Sequence, residues 1–264
     1  MVKFAPFINV TRLSFRAKTA SHTIAVMQHS EFPSLKNLFI HVEVLPLAEA
    51  EQLLCALSQC KATQTFEQLS ISSSGPRLQE PLDNSLTAVP YFLPFRQLRT
   101  LYLRLHFCTH LDNDRLLEAI SSWPHIRSLQ LVDPEMPPAI TFRGLFAALR
   151  LRPHLHTLSI SMDAINIDID PKAESFQYPA LQNLNVTCSE IADAEAVARI
   201  IFSAFPRIVR VSNWGVGMRF WKLWDEVNEH LNVLNGRNVT EQVSQWDESE
   251  EETDEPEGET DGRL

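Results

Sequence analysis

The sequence predicts an α/β solenoid of about eight irregular strand–turn–helix units, with parallel strands on a concave face, helices on a convex face and a C-terminal capping helix. First, a hexapeptide of the form apolar-x-x-apolar-x-apolar recurs eight times at intervals of 25 to 32 residues. Second, proline stands two residues before the hexapeptide in five units. Third, the segments between hexapeptides space their apolar residues as helices do. This order and period are typical of the longer leucine-rich repeats.

The hexapeptides predict the strands, because alternate side chains of a strand point to the same face and the apolar ones would be buried. The last hexapeptide, IVRVSN, is degraded because Asn213 takes its third apolar position. The consensus Asn or Cys, eight positions after the start, is absent, so irregular turns are expected. The hexapeptides begin at Val10, Leu35, Phe66, Leu98, Ile126, Leu155, Leu181 and Ile208.

Proline and helical spacing predict what separates the strands. Proline cannot continue a helix and favours an extended residue before it, so its fixed place marks a helix-to-strand junction. Near the C-terminus, Trp224, Val227 and Leu231 fall at helical spacing and Gly236 can end the helix, which predicts a capping helix in 213–239. The other helical patterns cover 47–60, 112–123, 143–152 and 192–205.

The chain is expected to divide into a solenoid over 1–212, a capping segment over 213–239 and a disordered acidic tail over 240–264. Residues 241–264 hold eleven Asp and Glu and one Arg, which is the whole net charge of −10. Such a run repels itself and buries little apolar surface. It either contacts the concave face weakly near Arg210 or only solubilises the chain. The rest of the chain has no net charge and no cluster of basic side chains of the kind that binds nucleic acid, so no nucleic-acid partner is expected.

The targeting signals and catalytic motifs that the sequence lacks limit the cellular compartment and the chemistry to be expected. The N-terminus does not read as a secretory signal, no 18-residue apolar window exists and the four cysteines form no C-x-x-C pair. These features favour a monomeric cytoplasmic or nuclear protein with reduced thiols and no membrane contact. The common phosphate-loop, nucleophile-elbow and zinc-helix motifs are missing, so no catalytic residue and no cofactor is assigned.

Histidine-rich and acidic segments resemble metal sites in part. His106, Cys108 and His110 alternate like ligands, His154 and His156 form an H-x-H pair, and Asn166, Asp168 and Asp170 in DAINIDIDP (163–171) resemble a calcium loop. These sets are incomplete, because the histidine segments lack further ligands at zinc spacing and the acidic segment lacks the loop glycine and distal glutamate. No metal is therefore predicted, although an enzyme or metal protein with unrecognised chemistry stays an alternative.

Three stretches of the chain carry a family resemblance. They read LDNDRLLEAISSWPHIRSLQLVD (111–133), ITFRGLFAALRLRPHLHTLSISMD (140–163) and YPALQNLNVTCSEIADAEAVARIIFSAFPRIVRV (178–211). Together with a Trp-rich segment they resemble, over about residues 85–234, the C-terminal leucine-rich-repeat region of fungal F-box proteins. That family uses an F-box to dock on the adaptor of a cullin–RING ubiquitin ligase and its repeats to recruit the substrate. No F-box-like segment precedes the first hexapeptide, so adaptor binding is expected only if an F-box is supplied upstream.

The concave face is the candidate binding surface. Three outward positions per hexapeptide give 24 side chains, of which none is acidic and four are arginine. The expectation is a non-catalytic, protein-binding solenoid that resembles the substrate-recruiting part of an F-box receptor. A structural remnant without a specific partner is the other alternative, since Ser, Thr and Asn also suit a solvated strand. The predicted partner-binding residues are Arg12, Arg16, Phe39, His41, Tyr102, Arg104, Arg210 and Trp214.

Overall fold

The computed structural model describes residues 7–75, 88–105, 111–132, 138–170, 175–213 and 218–236. The acidic tail, Trp214 and the His106–His110 segment lie outside the described residues. Eight strands form one parallel sheet in chain order, which confirms the predicted α/β class and strand number. They are β1 (Arg12–Ala17), β2 (Asn37–Val42), β3 (Gln68–Ser73), β4 (Thr100–Arg104), β5 (Ser128–Val132), β6 (Thr157–Ser159), β7 (Asn183–Asn185) and β8 (Val211–Ser212).

The strand register agrees with the phase of the hexapeptides. Leu38 pairs with Leu69, Leu69 with Leu101, and the alignment continues through Leu129 to the end of the sheet. These central apolar residues are fully buried from β2 to β6, because each anchor stacks on the equivalent anchor of the next unit. The same pairing places the intervening polar side chains in rows that run across the strands.

Six α-helices accompany the sheet, and they pack in neighbouring pairs. A short 3₁₀ segment at 61–64 follows the α-helix between β2 and β3, and another at 89–92 is the helical segment described between β3 and β4. No helix occurs between β6 and β7 in the residues described there. Helical and strand side chains share one continuous hydrophobic core. The described chain holds no helix with both the length and the apolarity that a bilayer crossing requires. The helices are α1 (Ser21–His29), α2 (Leu47–Ser58), α3 (Asn113–Ser122), α4 (Phe142–Leu149), α5 (Ala194–Ala204) and α6 (Met218–Leu234).

The helix-to-strand junctions are tight turns at the predicted prolines. In four units the residue before the proline accepts a hydrogen bond from the first apolar anchor, three residues further on. The Trp123 carbonyl and the Ile126 amide, for example, are 3.3 Å apart. Proline suits the second position of such a turn because its φ is already set. The four prolines are Pro33, Pro124, Pro153 and Pro206.

Hydrogen bonds at these junctions also join each unit to the next. The Trp123 indole donates to the Phe92 carbonyl at 2.9 Å, and the Arg152 guanidinium donates to the Trp123 carbonyl at 3.1 Å. Tyr178 continues the chain, since its hydroxyl donates to the Arg152 carbonyl and accepts from the Leu155 amide. Burial raises the pKa of the Tyr178 hydroxyl, an effect that the Leu155 amide partly opposes.

The first turns of α1 and α4 are likewise fixed by a side chain of a neighbouring unit, which is the following unit for α1 and the preceding unit for α4. At α1, whose cap residue Ala20 has no side-chain oxygen, the Ala20 amide donates to the Glu49 carboxylate at 2.9 Å. At α4, the Asn113 side chain accepts from the Thr141 amide at 3.0 Å and lies against Gly144. A methyl group on Gly144 would stand 1.9 Å from the Asn113 oxygen, so the close approach requires glycine.

The helix predicted within 213–239 is present as α6, and it closes the free side of β8. The Asn228 side chain accepts from the Val211 amide at 2.8 Å and donates to the Val211 carbonyl at 3.0 Å. The Trp224 indole donates to the carbonyl of Ser189 at 2.9 Å. Cys188, just before Ser189, has a φ of 54° in the left-handed region, so the backbone turns at this point. Gly236, at φ 69°, follows the helix end as expected.

Candidate binding surface on the open face of the sheet

The outward side chains of the strands form rows, here called rungs, because equivalent residues pair across the sheet. We call these outward side chains together the open face. In the first four strands they are exposed or half-buried, whereas Ser159 on β6 and Thr187 after β7 are buried. The outward side chains of β5, Asn183 and Asn185 on β7 and Ser212 on β8 are also exposed or half-buried, and the part of the open face that carries arginine and aromatic side chains lies on β1, β2 and β4.

One rung brings together two arginines, a histidine and a serine. Arg16 pairs with His41, His41 with Ser72 and Ser72 with Arg104, so the four residues lie at one height on adjacent strands. His41 Nδ1 is 3.0 Å from the Ser72 hydroxyl, and its Nε2 is 3.5 Å from the hydroxyl of Ser74. We call Arg16, His41, Ser72 and Arg104 the Arg–His rung.

The rung below carries the aromatic side chains. Phe39 lies between Ser14 and Ser70 in the pairing, and Tyr102 lies between Ser70 and Gln130. The Arg12 guanidinium stands 4.8 Å from the centre of the Phe39 ring, a cation–π distance that orients the arginine over the sheet. Half-buried aromatic rings beside arginine are the composition that protein interfaces favour.

Acidic groups are confined to the margins of this surface. Glu67, just before β3, is 2.9 Å from the Lys36 ammonium and 3.5 Å from the Arg99 guanidinium. The hydrogen bond from Lys36, with the charges of Lys36 and Arg99, lowers the pKa of Glu67. Glu43, just after β2, is exposed. None of the described outward side chains on β1 to β8 is acidic, so the open face is cationic.

The structure brings six of the eight predicted residues into one patch on β1, β2 and β4. Arg210 is exposed but precedes β8, four strands beyond β4, so it does not belong to that patch. Trp214 lies outside the described residues. The six residues of the patch are Arg12, Arg16, Phe39, His41, Tyr102 and Arg104.

Sequence reasoning did not identify Ser72 and Ser74 as the partners of His41. They are separated from His41 by 31 and 33 residues and meet it only because β2 and β3 pair. The pairing of Lys36 and Arg99 with Glu67 was missed for a similar reason. These residues stand one position before each strand, outside the three outward positions considered per hexapeptide.

The other candidate ligands form internal hydrogen bonds. His156 Nδ1 donates to the Ala180 carbonyl at 3.1 Å, and Asp163 accepts from the amides of Ile165 and Asn166. Asp168 accepts from the Arg143 amide at 3.1 Å. Across the described ranges, no group of three or more His, Cys, Asp or Glu side chains is placed to hold a metal ion.

The described thiols and the His41 imidazole are groups of the kind that nucleophilic catalysis uses. Cys55 and Cys60 are free thiols, and burial raises the pKa of the Cys60 thiol, which disfavours the reactive thiolate. His41 faces a hydroxyl at each ring nitrogen, so its described contacts do not include the orienting carboxylate of a Ser–His–Asp site.

No family model matches the chain, and no curated protein resembles it in sequence. The parallel sheet and the charge and aromatic content of its open face are thus the grounds for assigning a function.

Proposed function

We propose that the chain is a non-catalytic protein-binding scaffold of leucine-rich-repeat type, whose open face recruits a partner protein. Each unit of 25 to 32 residues contributes one strand to a parallel sheet in chain order. Stacking of such units, with every strand paired only to its sequence neighbours, is how leucine-rich-repeat solenoids are built. The variation in helix content from unit to unit agrees with the missing asparagine consensus, which predicted irregular turns.

The observation that carries the proposal is the patch on β1 to β4. It combines three arginines with two half-buried aromatic rings, and its strands present no acidic side chain outward. Arginine and tyrosine are enriched among residues that dominate binding energy, because they offer large contact areas and several hydrogen bonds. A face of this kind suits contact with another polypeptide.

The resemblance to fungal F-box proteins supports a more specific role in substrate recruitment for a ubiquitin ligase. In that role the open face would hold the substrate, and a cullin–RING adaptor would be engaged only through an F-box supplied upstream. Affinity capture of the protein tagged in its own gene, so that any F-box encoded upstream is retained, followed by mass spectrometry tests this role directly. Capture of substrate without adaptor or cullin would count against the ligase assignment and leave the scaffold assignment intact.

The scaffold assignment is tested with two variants of equal charge change. Arg16→Glu with Arg104→Glu alters the open face, whereas Arg207→Glu with Lys222→Glu alters exposed residues away from the patch. We expect at least one captured protein to fall about tenfold or more with the first variant and to be retained by the second. Crosslinks from that protein to Lys36, beside the patch, would locate the contact.

Thermal denaturation of both variants shows whether each is folded, since exposed substitutions should change stability by only about 0.5 kcal/mol. A set of captured proteins that is the same for both variants would contradict recruitment by the open face.

A further inference from the structure

The Arg–His rung contains cationic groups that no acidic side chain of the described residues neutralises. Among the described residues, neither Arg16 nor Arg104 has an ion-pair partner. Other basic side chains do have one: Lys61 lies 2.7 Å from Glu31, and Arg199 lies 2.6 Å from Glu195. An arginine fork that is left unpaired on a strand can bind a carboxylate through two parallel hydrogen bonds.

His41 and Ser72 supply polar groups between the two arginines. They lie on β2 and β3, so the order across the sheet is arginine, imidazole, hydroxyl, arginine. The imidazole and hydroxyl are already held together at 3.0 Å, which limits the conformational entropy that a ligand would have to remove. The rung is therefore a row of polar groups with a cation at each end.

The spacing of this row matches an extended peptide. Adjacent strands lie about 4.8 Å apart, so the backbones of Arg16 and Arg104, three strands apart, are separated by about 14 Å. An extended peptide advances about 3.4 Å per residue, so side chains i and i+4 are also about 14 Å apart and point to the same side. Side chain i+2 then faces His41 and Ser72.

We infer that the Arg–His rung binds an extended acidic segment of a partner protein, laid across β1 to β4, with carboxylates at positions i and i+4. The inference rests on the proposed function and names the class of ligand that the open face takes. Arg16 and Arg104 each bind one carboxylate, and a polar side chain at i+2 hydrogen-bonds to His41 or Ser72. Phe39 and Tyr102, one rung away, contact the apolar parts of the same segment.

The acidic residues of this chain's own 241–264 segment include the same spacing, for example Glu248 and Glu252. That segment follows α6, which is bonded to β8, and β8 lies seven strand separations, or about 34 Å, from β1. The span favours a segment from another protein on the Arg–His rung, and a variant of the tail separates the two occupants.

The experiment measures fluorescence anisotropy of labelled peptides with the full chain at low and at physiological ionic strength. One peptide carries two Asp residues at i and i+4 in a Gly–Ser–Tyr background, and its control carries the same two Asp residues adjacent. We expect the first peptide to bind about fivefold tighter than the control and to weaken with salt. Arg16→Gln and Arg104→Gln should each weaken it about threefold to tenfold, and Arg207→Gln should leave it unchanged.

Three results would overturn the inference. Equal affinity for the two Asp peptides would remove the spacing argument. Binding of a phosphoserine version without binding of the Asp version would assign the rung to phosphate. A variant with the acids of 241–264 changed to Asn and Gln that binds the peptide about tenfold tighter would make the tail the occupant. If partner capture depends on Arg16 and Arg104 while no acidic peptide binds, the scaffold function stands and only the acidic ligand is lost.

Discussion

Replacing Asn228 by alanine should release the C-terminal end of the sheet. The Asn228 amide bonds both the N–H and the C=O of Val211, at 2.8 and 3.0 Å, on the side of β8 that faces away from β7. Asn228 is only 9% exposed, so water cannot easily take its place. The side chain thus acts as a one-residue substitute for a ninth strand, and its loss leaves two buried backbone groups without partners.

The expected loss in the free energy of unfolding follows from the two backbone groups of Val211. An unsatisfied buried donor or acceptor costs about 1–3 kcal/mol, so the variant should lose about 3 kcal/mol of the free energy of unfolding. In a chain of this size about 1 kcal/mol lowers the Tm by about 2–4 °C, which gives a decrease of about 6–12 °C. Asn232→Ala, on the same helix but without a side-chain hydrogen bond among the described contacts, should change the Tm by less than about 2 °C.

Hydrogen–deuterium exchange locates the effect. Because each strand pairs only with its neighbours, uptake should rise in peptides that cover 205–236 and stay unchanged in peptides that cover 37–73. Equal exchange of the Val211 amide in Asn228→Ala and in the unaltered chain would refute the reasoning, as would a uniform increase along the whole sheet. The first result would mean that Asn228 does not protect β8, and the second that the sheet unfolds as one unit.

Three further predictions concern the core, a close approach and a buried tyrosine. Leu129→Asp places a charge among fully buried anchors and should cost about 4 kcal/mol or more in denaturant unfolding, whereas Gln130→Asp should cost within about 0.5 kcal/mol. Gly144→Ala should cost about 2 kcal/mol, because its methyl group meets the Asn113 side chain, and a double-mutant cycle with Asn113→Gly should show most of that cost removed. Tyr178→Phe should cost about 1–2 kcal/mol at neutral pH. Because burial raises the folded pKa of Tyr178 above its unfolded value, this stabilisation is present below the unfolded pKa and is lost as pH rises through the folded pKa. The unfolding free energy of the variant, followed by urea titration, should therefore fall less steeply above pH of about 10.

The strands were predictable because their signal is local and strong. The hexapeptides that begin at Leu35, Phe66, Leu98, Ile126, Leu155 and Leu181 bury alternate side chains, so the register of their strands could be read from apolar positions alone. Helix α1 was missed because its cap residue, Ala20, has no side-chain hydrogen bond, and its first amide depends on Glu49 in the next unit. The 3₁₀ turn at Lys61–Gln64 was missed for a similar reason. It is followed by Thr65, whose hydroxyl donates to the carbonyl of Leu35, a residue distant in sequence.

The candidate surface was predictable in composition but not in arrangement. Alternation along the strands identified which side chains face outward, and the pairing of strands then followed from chain order. The grouping of six residues away from Arg210 depends on the number of strands between them. The contact between His41 and Ser72 depends on rotamers and on the register of two strands that are 31 residues apart in sequence. No local pattern carries that information.

In a sheet assembled in chain order, the number of units between two strands sets the distance between them. Each unit adds one strand and therefore about 4.8 Å to the distance between two residues on a rung. Loss of the unit that contains β3 would bring Arg104 one strand closer to Arg16 while the buried anchors on either side could still stack. Duplication of a unit would lengthen the same distance. Gain or loss of a unit during evolution can therefore change the length of the segment that the surface accepts without requiring a new core.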